Sequence, residues 1–127
     1  MTELGLDSVL QSRFSLKPSL DDRTLNVKFA GTGDMDAIAA LSAFLKEVSG
    51  AAHRVDAQEV RFDVADLEFM NSTCFKSFVT FIDEAKTSGA PYKIRFLTDP
   101  NLHWQRRSLE ALRRLALGLV TIETKTQ

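Results

Sequence analysis

Alternating apolar and polar residues recur along this chain, separated by stretches with helical spacing, and that pattern most constrains the fold. Phe14 and Leu16 alternate with Arg13, Ser15 and Lys17, as in a strand buried on one face. Pro18 is expected to end this strand, and Asp21-Asp22-Arg23 to form a polar turn. Leu25, Val27 and Phe29 then share one side of a second strand, against Asn26, Lys28 and Ala30. The two strands read as a hairpin.

Gly31-Thr32-Gly33 breaks the pattern, and Asp34 is placed to cap a helix. Ile38, Leu41, Leu45 and Val48 repeat at helical spacing, with Gly50 as the expected stop and 51–59 as a connection. The third strand spans Val60 to about Ala65, and a loop from Asp66 follows. A second helix is predicted from Ser72, whose hydroxyl suits an N-cap. Cys74, Phe75, Phe78, Val79, Phe81, Ile82 and Ala85 form its apolar arc, and Gly89 closes it. Tyr92 to Leu97 is the fourth strand, Leu102 to Leu117 the third helix, and Leu119 to Glu123 the fifth strand.

The order is β-β-α-β-α-β-α-β, an α/β chain whose strand–helix–strand units impose parallel neighbours and right-handed crossovers. Parallel sheets covered on both faces carry continuous apolar runs. These strands are apolar on one side only, which predicts an α+β-like layer with the helices mainly on one face. The other face then shows Lys17, Lys28, Arg61, Asp63, Lys93 and Arg95 to solvent. Residues 1–12 lack periodicity and read as a loose arm before a single domain over 13–127.

Composition narrows function further. The 16 Lys+Arg against 17 Asp+Glu give a net charge of -1, which argues against a coat for nucleic acid or anionic membrane. No apolar run approaches the ~18 residues of a membrane span. The start lacks the basic and apolar blocks of a signal peptide, so a cytoplasmic protein is expected. One Cys excludes an internal disulfide, and two distant His, His53 and His103, offer no metal site and no cofactor is implied.

The most informative stretch is Val-Arg-Phe-Asp-Val-Ala-Asp-Leu-Glu-Phe-Met-Asn-Ser-Thr-Cys, starting at Val60. It resembles the signature of STAS domains, the family that includes the bacterial anti-sigma factor antagonists: an apolar strand, a short loop, then Asp-Ser-Ser-Gly opening a helix. The likeness spans roughly Phe14 to Glu123, and it implies a STAS-like mixed five-stranded sheet. Ser72 stands at the family's phosphoacceptor, with Thr73 as the alternative acceptor. The resemblance implies a regulatory module of a partner-switching pathway that is not itself an enzyme. Its partners would be a GHKL-type serine kinase/anti-sigma factor and a PP2C-type phosphatase, met through Glu68, Phe69, Met70, Asn71, Ser72, Thr73 and Lys76. A phosphate on a helix N-terminus is compatible with the fold, because free N–H groups and the helix dipole favour negative charge there. Its charge of roughly -1.5 to -2 would act on docking.

Three departures stand beside the likeness. Asn71 replaces the family's Asp, Cys74 replaces its Gly, and the last helix is missing or replaced. The first two favour a rival reading, a STAS-like scaffold or sensor that is never phosphorylated. A third reading, a small thiol enzyme using Cys74, competes with a buried thiol on the apolar arc. Arg106, Arg107, Arg113 and Arg114, with Glu110 between them, read as a solvated helix face or a grip for an acidic partner. The open sheet face lacks the aromatics that RNA-binding sheets use, so no nucleic acid is expected there.

Overall fold

The computed structural model describes residues 6–125. Its strands are β1 (Val9–Leu10), β2 (Phe14–Asp21), β3 (Thr24–Gly33), β4 (Glu59–Met70), β5 (Lys93–Thr98) and β6 (Val120–Thr124). Its helices are α1 (Ile38–Arg54), α2 (Ser72–Ser88) and α3 (His103–Leu115), with a 3-10 turn at Met35–Ala37. The six strands lie in chain order, β1-β2-β3-β4-β5-β6. β1, β2 and β3 pair antiparallel, whereas β3, β4, β5 and β6 run parallel.

The sheet therefore has six strands where the alternation predicted five. The added strand lies in the segment read as a loose arm: Val9 pairs with Leu16 and Leu10 with Ser15, while Leu6 is buried in the core. Residues 1–5 of that arm lie outside the described residues. Pro18 does not end β2 but pairs with Val27. β1 covers β2 only at Ser15 and Leu16, so Pro18 lies where β2 is an edge and loses no ladder bond. Nor does α1 stop at Gly50. Ala51 and Ala52 keep the next turn buried against the core, and the chain leaves the helix at Val55. Asp56 then takes the left-handed conformation, with φ 57°, and its carboxylate binds Arg23 at 2.7 Å.

One apolar cluster joins the three helices to one face of the sheet. Phe62 of β4 sits at its centre, with ring centroids 5.4–5.7 Å from Phe29, Phe78, Phe81 and Phe96. Three of these four contacts are edge-to-face, the geometry ring quadrupoles prefer. The opposite face carries paired charges. Glu59 binds Arg61 and Arg95, Arg95 also binds Glu123, Lys125 binds Asp63, and Lys28 binds Asp66. Each such pair contributes little to stability in water, but together they leave this face nearly neutral.

β4 departs from regular alternation where it matters most for the site. It pairs with β5 only as far as Asp63, then runs on to Met70 beside β3 alone. Two register shifts against β3, at Lys28/Ala30 and Gly31/Thr32, insert extra residues into β4. Such bulges bend a strand and re-aim its side chains. At Gly31 the φ is 93°, and an added Cβ would lie 2.1 Å from the Arg13 carbonyl oxygen. Both the dihedral and the close backbone approach require glycine there.

Candidate functional site

The stretch from Asp66 to Met70, expected to be a loop, is the end of β4. Its irregular backbone is held by side chains. The Ala65 N–H donates to the Asp63 carboxylate at 3.1 Å. From α3, the fully buried Gln105 amide donates to the carbonyls of Val64 and Leu67, the latter at 3.1 Å. Its own carbonyl oxygen accepts from the Asp99 N–H at 3.0 Å. Polar groups that β5 leaves behind are thus satisfied internally, as burial demands. Nothing in the sequence pattern singled out Gln105, because one Gln among polar helix residues has no periodic signature.

At the end of β4, the Asn71 N–H donates to the Gly33 carbonyl at 2.8 Å and ties the chain to the end of β3. The Asn71 Oδ1 accepts from the Cys74 N–H at 2.8 Å. Asn71 is therefore the N-cap of α2, and the expectation that Ser72 caps this helix is corrected. Both residue types cap well, so adjacent candidates could not be separated by type. With the cap supplied one residue earlier, Ser72 and Thr73 are the first two helical residues. Both are exposed, and neither hydroxyl has a hydrogen-bond partner among the described residues. The N–H groups of this first turn have no acceptor within the helix.

Of the other expected partner-binding residues, Phe69, Met70 and Lys76 lie near this helix start, whereas Glu68 lines a separate hollow with Arg13, Phe14 and Thr32. Glu68 is exposed, Phe69 is 50% exposed and Met70 is half-buried. Lys76 is exposed one turn along α2 and lines the groove between α1 and α2 beside Thr73. Sequence reasoning missed Met35, which is 79% exposed. It follows Gly33, the residue paired with Met70, so it emerges at the same end of the sheet. A single methionine in a short polar turn carries no pattern that would reveal it.

Cys74 is buried, and its Sγ lies 3.6 Å from the Asp34 carbonyl oxygen. Burial first, and then the Asp34 charge, push its pKa up. Both effects oppose a reactive thiolate. On α3, Leu109 and Leu112 are buried, while Leu115 is 43% exposed. Arg113 and Arg114 both engage Glu110, leaving Arg106 and Arg107 as the exposed arginines without an ion pair among the described residues. No helix in the described residues is long and apolar enough to cross a membrane.

No family model and no curated protein matches the chain. Its fold is matched among solved structures, and it is the STAS-like fold of the anti-sigma factor antagonists. An anti-sigma factor antagonist from Mycobacterium paratuberculosis aligns over 87% of this chain and 85% of its own, with a TM-score of 0.64 at 15% identity. The antagonist SpoIIAA in its unphosphorylated form aligns over 87% and 89%, with a TM-score of 0.56 at 16% identity. The structure of the diguanylate cyclase SiaD in complex with its activator SiaC, from Pseudomonas aeruginosa, contains a chain matched over 93% of this chain and 98% of its own, with a TM-score of 0.59 at 15% identity.

Proposed function

We propose that this chain is a regulatory protein-binding module of a partner-switching pathway, docking through the end of β4 and the start of α2. One observation carries this reading. Ser72 presents an unengaged hydroxyl on the first turn of α2, in a surface that also exposes Phe69 and Met35. Exposed apolar side chains beside polar groups suit a protein interface. A phosphate on Ser72 would sit at a helix end that tolerates its charge, and would place that charge where a partner must desolvate. The domain itself would stay folded, and only docking would change.

The fold shared with SpoIIAA, known in unphosphorylated and phosphorylated forms, supports this reading. The partners in this reading are a GHKL-type serine kinase/anti-sigma factor, bound by the unphosphorylated protein, and a PP2C-type phosphatase that restores it. The module is a substrate and not a catalyst, and it acts in the cytoplasm. The test is a pull-down from the native host with Ser72→Ala and Ser72→Asp baits, read by mass spectrometry. A partner retained by Ser72→Ala and lost by Ser72→Asp is the expected result. The same partner held equally by both baits would refute control through Ser72.

A second reading is an unphosphorylated scaffold or sensor. Asn71 favours it: where the family places an acid, this chain uses a neutral side chain already committed to the cap. Native protein that carries no phosphate at Ser72 or Thr73, yet copurifies with a stable partner, is its expected signature.

A further inference from the structure

The two edges of the sheet are built differently. At the β2 edge, β1 covers Ser15 and Leu16, and Pro18 removes a backbone donor. Short cover and proline are devices that keep other strands away. The β6 edge has neither. From Val120 to Thr124 it holds one unbroken register with β5, with no proline and no bulge. The Lys125 N–H turns inward to the Thr98 carbonyl at 2.8 Å. Backbone groups alternate in direction along a strand, so those of Ile122 and Thr124 turn outward. Val120 offers no donor there, because its N–H binds the Ala116 carbonyl at 3.0 Å.

Beside this edge, between β6 and α3, lies a hollow of about 320 Å³. Its lining is accessible: Leu102 and Ile122 are partly exposed, and Thr124 is exposed. Arg106, Glu110 and Arg113 line it from α3, and Asp99 from the turn before α3. Glu110 is engaged by Arg113 and Arg114, and the Asp99 carboxylate accepts from the Asn101 N–H at 2.9 Å. Arg106 is exposed and has no ion pair among the described residues.

From this combination we infer that the β6 edge takes a seventh strand from a partner protein, an extended segment whose acidic side chain, on the helix side, enters the hollow and meets Arg106. Main-chain hydrogen bonds to Ile122 and Thr124 supply affinity, and the hollow selects the side chain that enters it. A β-branched residue two positions along the segment packs across from Ile122. Charge decides against a second copy of this chain. Two copies joined edge to edge about a two-fold axis, in one continuous sheet, keep both α3 helices on the same face. Their Arg106 side chains would then approach each other. β6 supplies no acid on that side, since Glu123 binds Arg95 on the opposite face.

The test is selection of a displayed library of random dodecapeptides on the full chain, after depletion on Thr124→Pro. That variant removes an outward N–H and no bond to β5, so its 15N spectrum should depart from the parent only around β6. Peptides that survive depletion should carry an acidic residue with a β-branched residue two positions away, and should shift the amides of Ile122 and Thr124. Arg106→Glu, a change at an exposed position, should weaken them at least about tenfold. Replacing the peptide's acid with lysine should restore binding to that variant. N-methylation of the peptide backbone along one edge should abolish binding, and along the other edge should leave it intact, whatever the fold of the proline variant. Survival of no peptide, equal binding to Arg106→Glu and parent, or tolerance of N-methylation along both edges would each overturn the inference. A parent dimer that Thr124→Pro dissociates would overturn it too, by assigning the edge to a second copy. No residue of α2 lines the hollow, so the Ser72 pull-down stands or falls separately.

Discussion

Gln105 and Leu67 are joined across the molecule by a side-chain hydrogen bond of 3.1 Å, from the first turn of α3 to the strand end that carries the candidate site. The same amide holds Val64, and its oxygen holds the turn before α3. Three backbone groups from two segments therefore depend on one buried side chain.

Gln105→Ala should cost about 2–4 kcal/mol, since it strands buried backbone groups rather than removing a matched pair. Gln105→Glu should be as damaging at neutral pH, because a carboxylate would face two carbonyl oxygens. Urea unfolding of the three proteins measures this. A loss below about 0.5 kcal/mol, the range of ordinary surface changes, would show that Gln105 does not hold the strand.

The two adjacent cap candidates should separate cleanly. Asn71→Ala should lose about 1 kcal/mol, the usual cost of an N-cap. Asn71→Asp keeps the acceptor and adds a charge that the helix dipole favours, so it should match or exceed the parent in stability. Ser72→Ala should change stability by less than about 0.5 kcal/mol. Thermal unfolding of the three variants decides the assignment. A Ser72→Ala cost equal to that of Asn71→Ala would contradict it.

Cys74 should resist thiol reagents in the folded protein. It is buried and its pKa is raised, so near neutral pH both access and thiolate are scarce. Labelling should follow unfolding, with the rate rising steeply once denaturant opens the core. Fast labelling of the native chain at neutral pH would revive a reactive role.

An acid-limb signature is expected from α3. A hydrogen bond from Arg113, with the charges of Arg113 and Arg114, holds the Glu110 carboxyl below its ordinary value. A depressed folded-state pKa gives stability that is present above the unfolded value and lost as pH falls through the folded one. Glu110→Gln should therefore flatten part of the melting-temperature decline on acidification and leave the alkaline side unchanged. The effect is small because the group is solvent-exposed. Parallel acid-side slopes for parent and variant would place the dependence elsewhere.

The core strands and helices were legible because one-sided burial imposes a period. Phe14 with Leu16, Val60 with Phe62, and Ile94 with Phe96 alternate as their half-buried strands require. α2 ends where Gly89 takes φ 67°, as the glycine suggested. Legibility failed where periodicity has no purchase. Val9–Leu10 is too short to show a period. Past Asp63 the bulges change the spacing of buried residues from two to three, Val64 to Leu67, so a continuing strand reads as a loop. Within the candidate site, Ser72 is proposed from its neighbours in sequence. Met35 and Gln105 come from distant segments that only the fold brings near.

The overhang of β4 also bears on the thermodynamics of recognition. A free loop that becomes ordered on a partner loses about 1–2 kcal/mol of backbone conformational entropy per residue. Glu68, Phe69 and Met70 already lie in a strand laid against β3, so binding need restrict only their side chains. A partner reading this surface would meet a template fixed before the encounter, with association governed by charge and shape at the helix start more than by the folding of a loop.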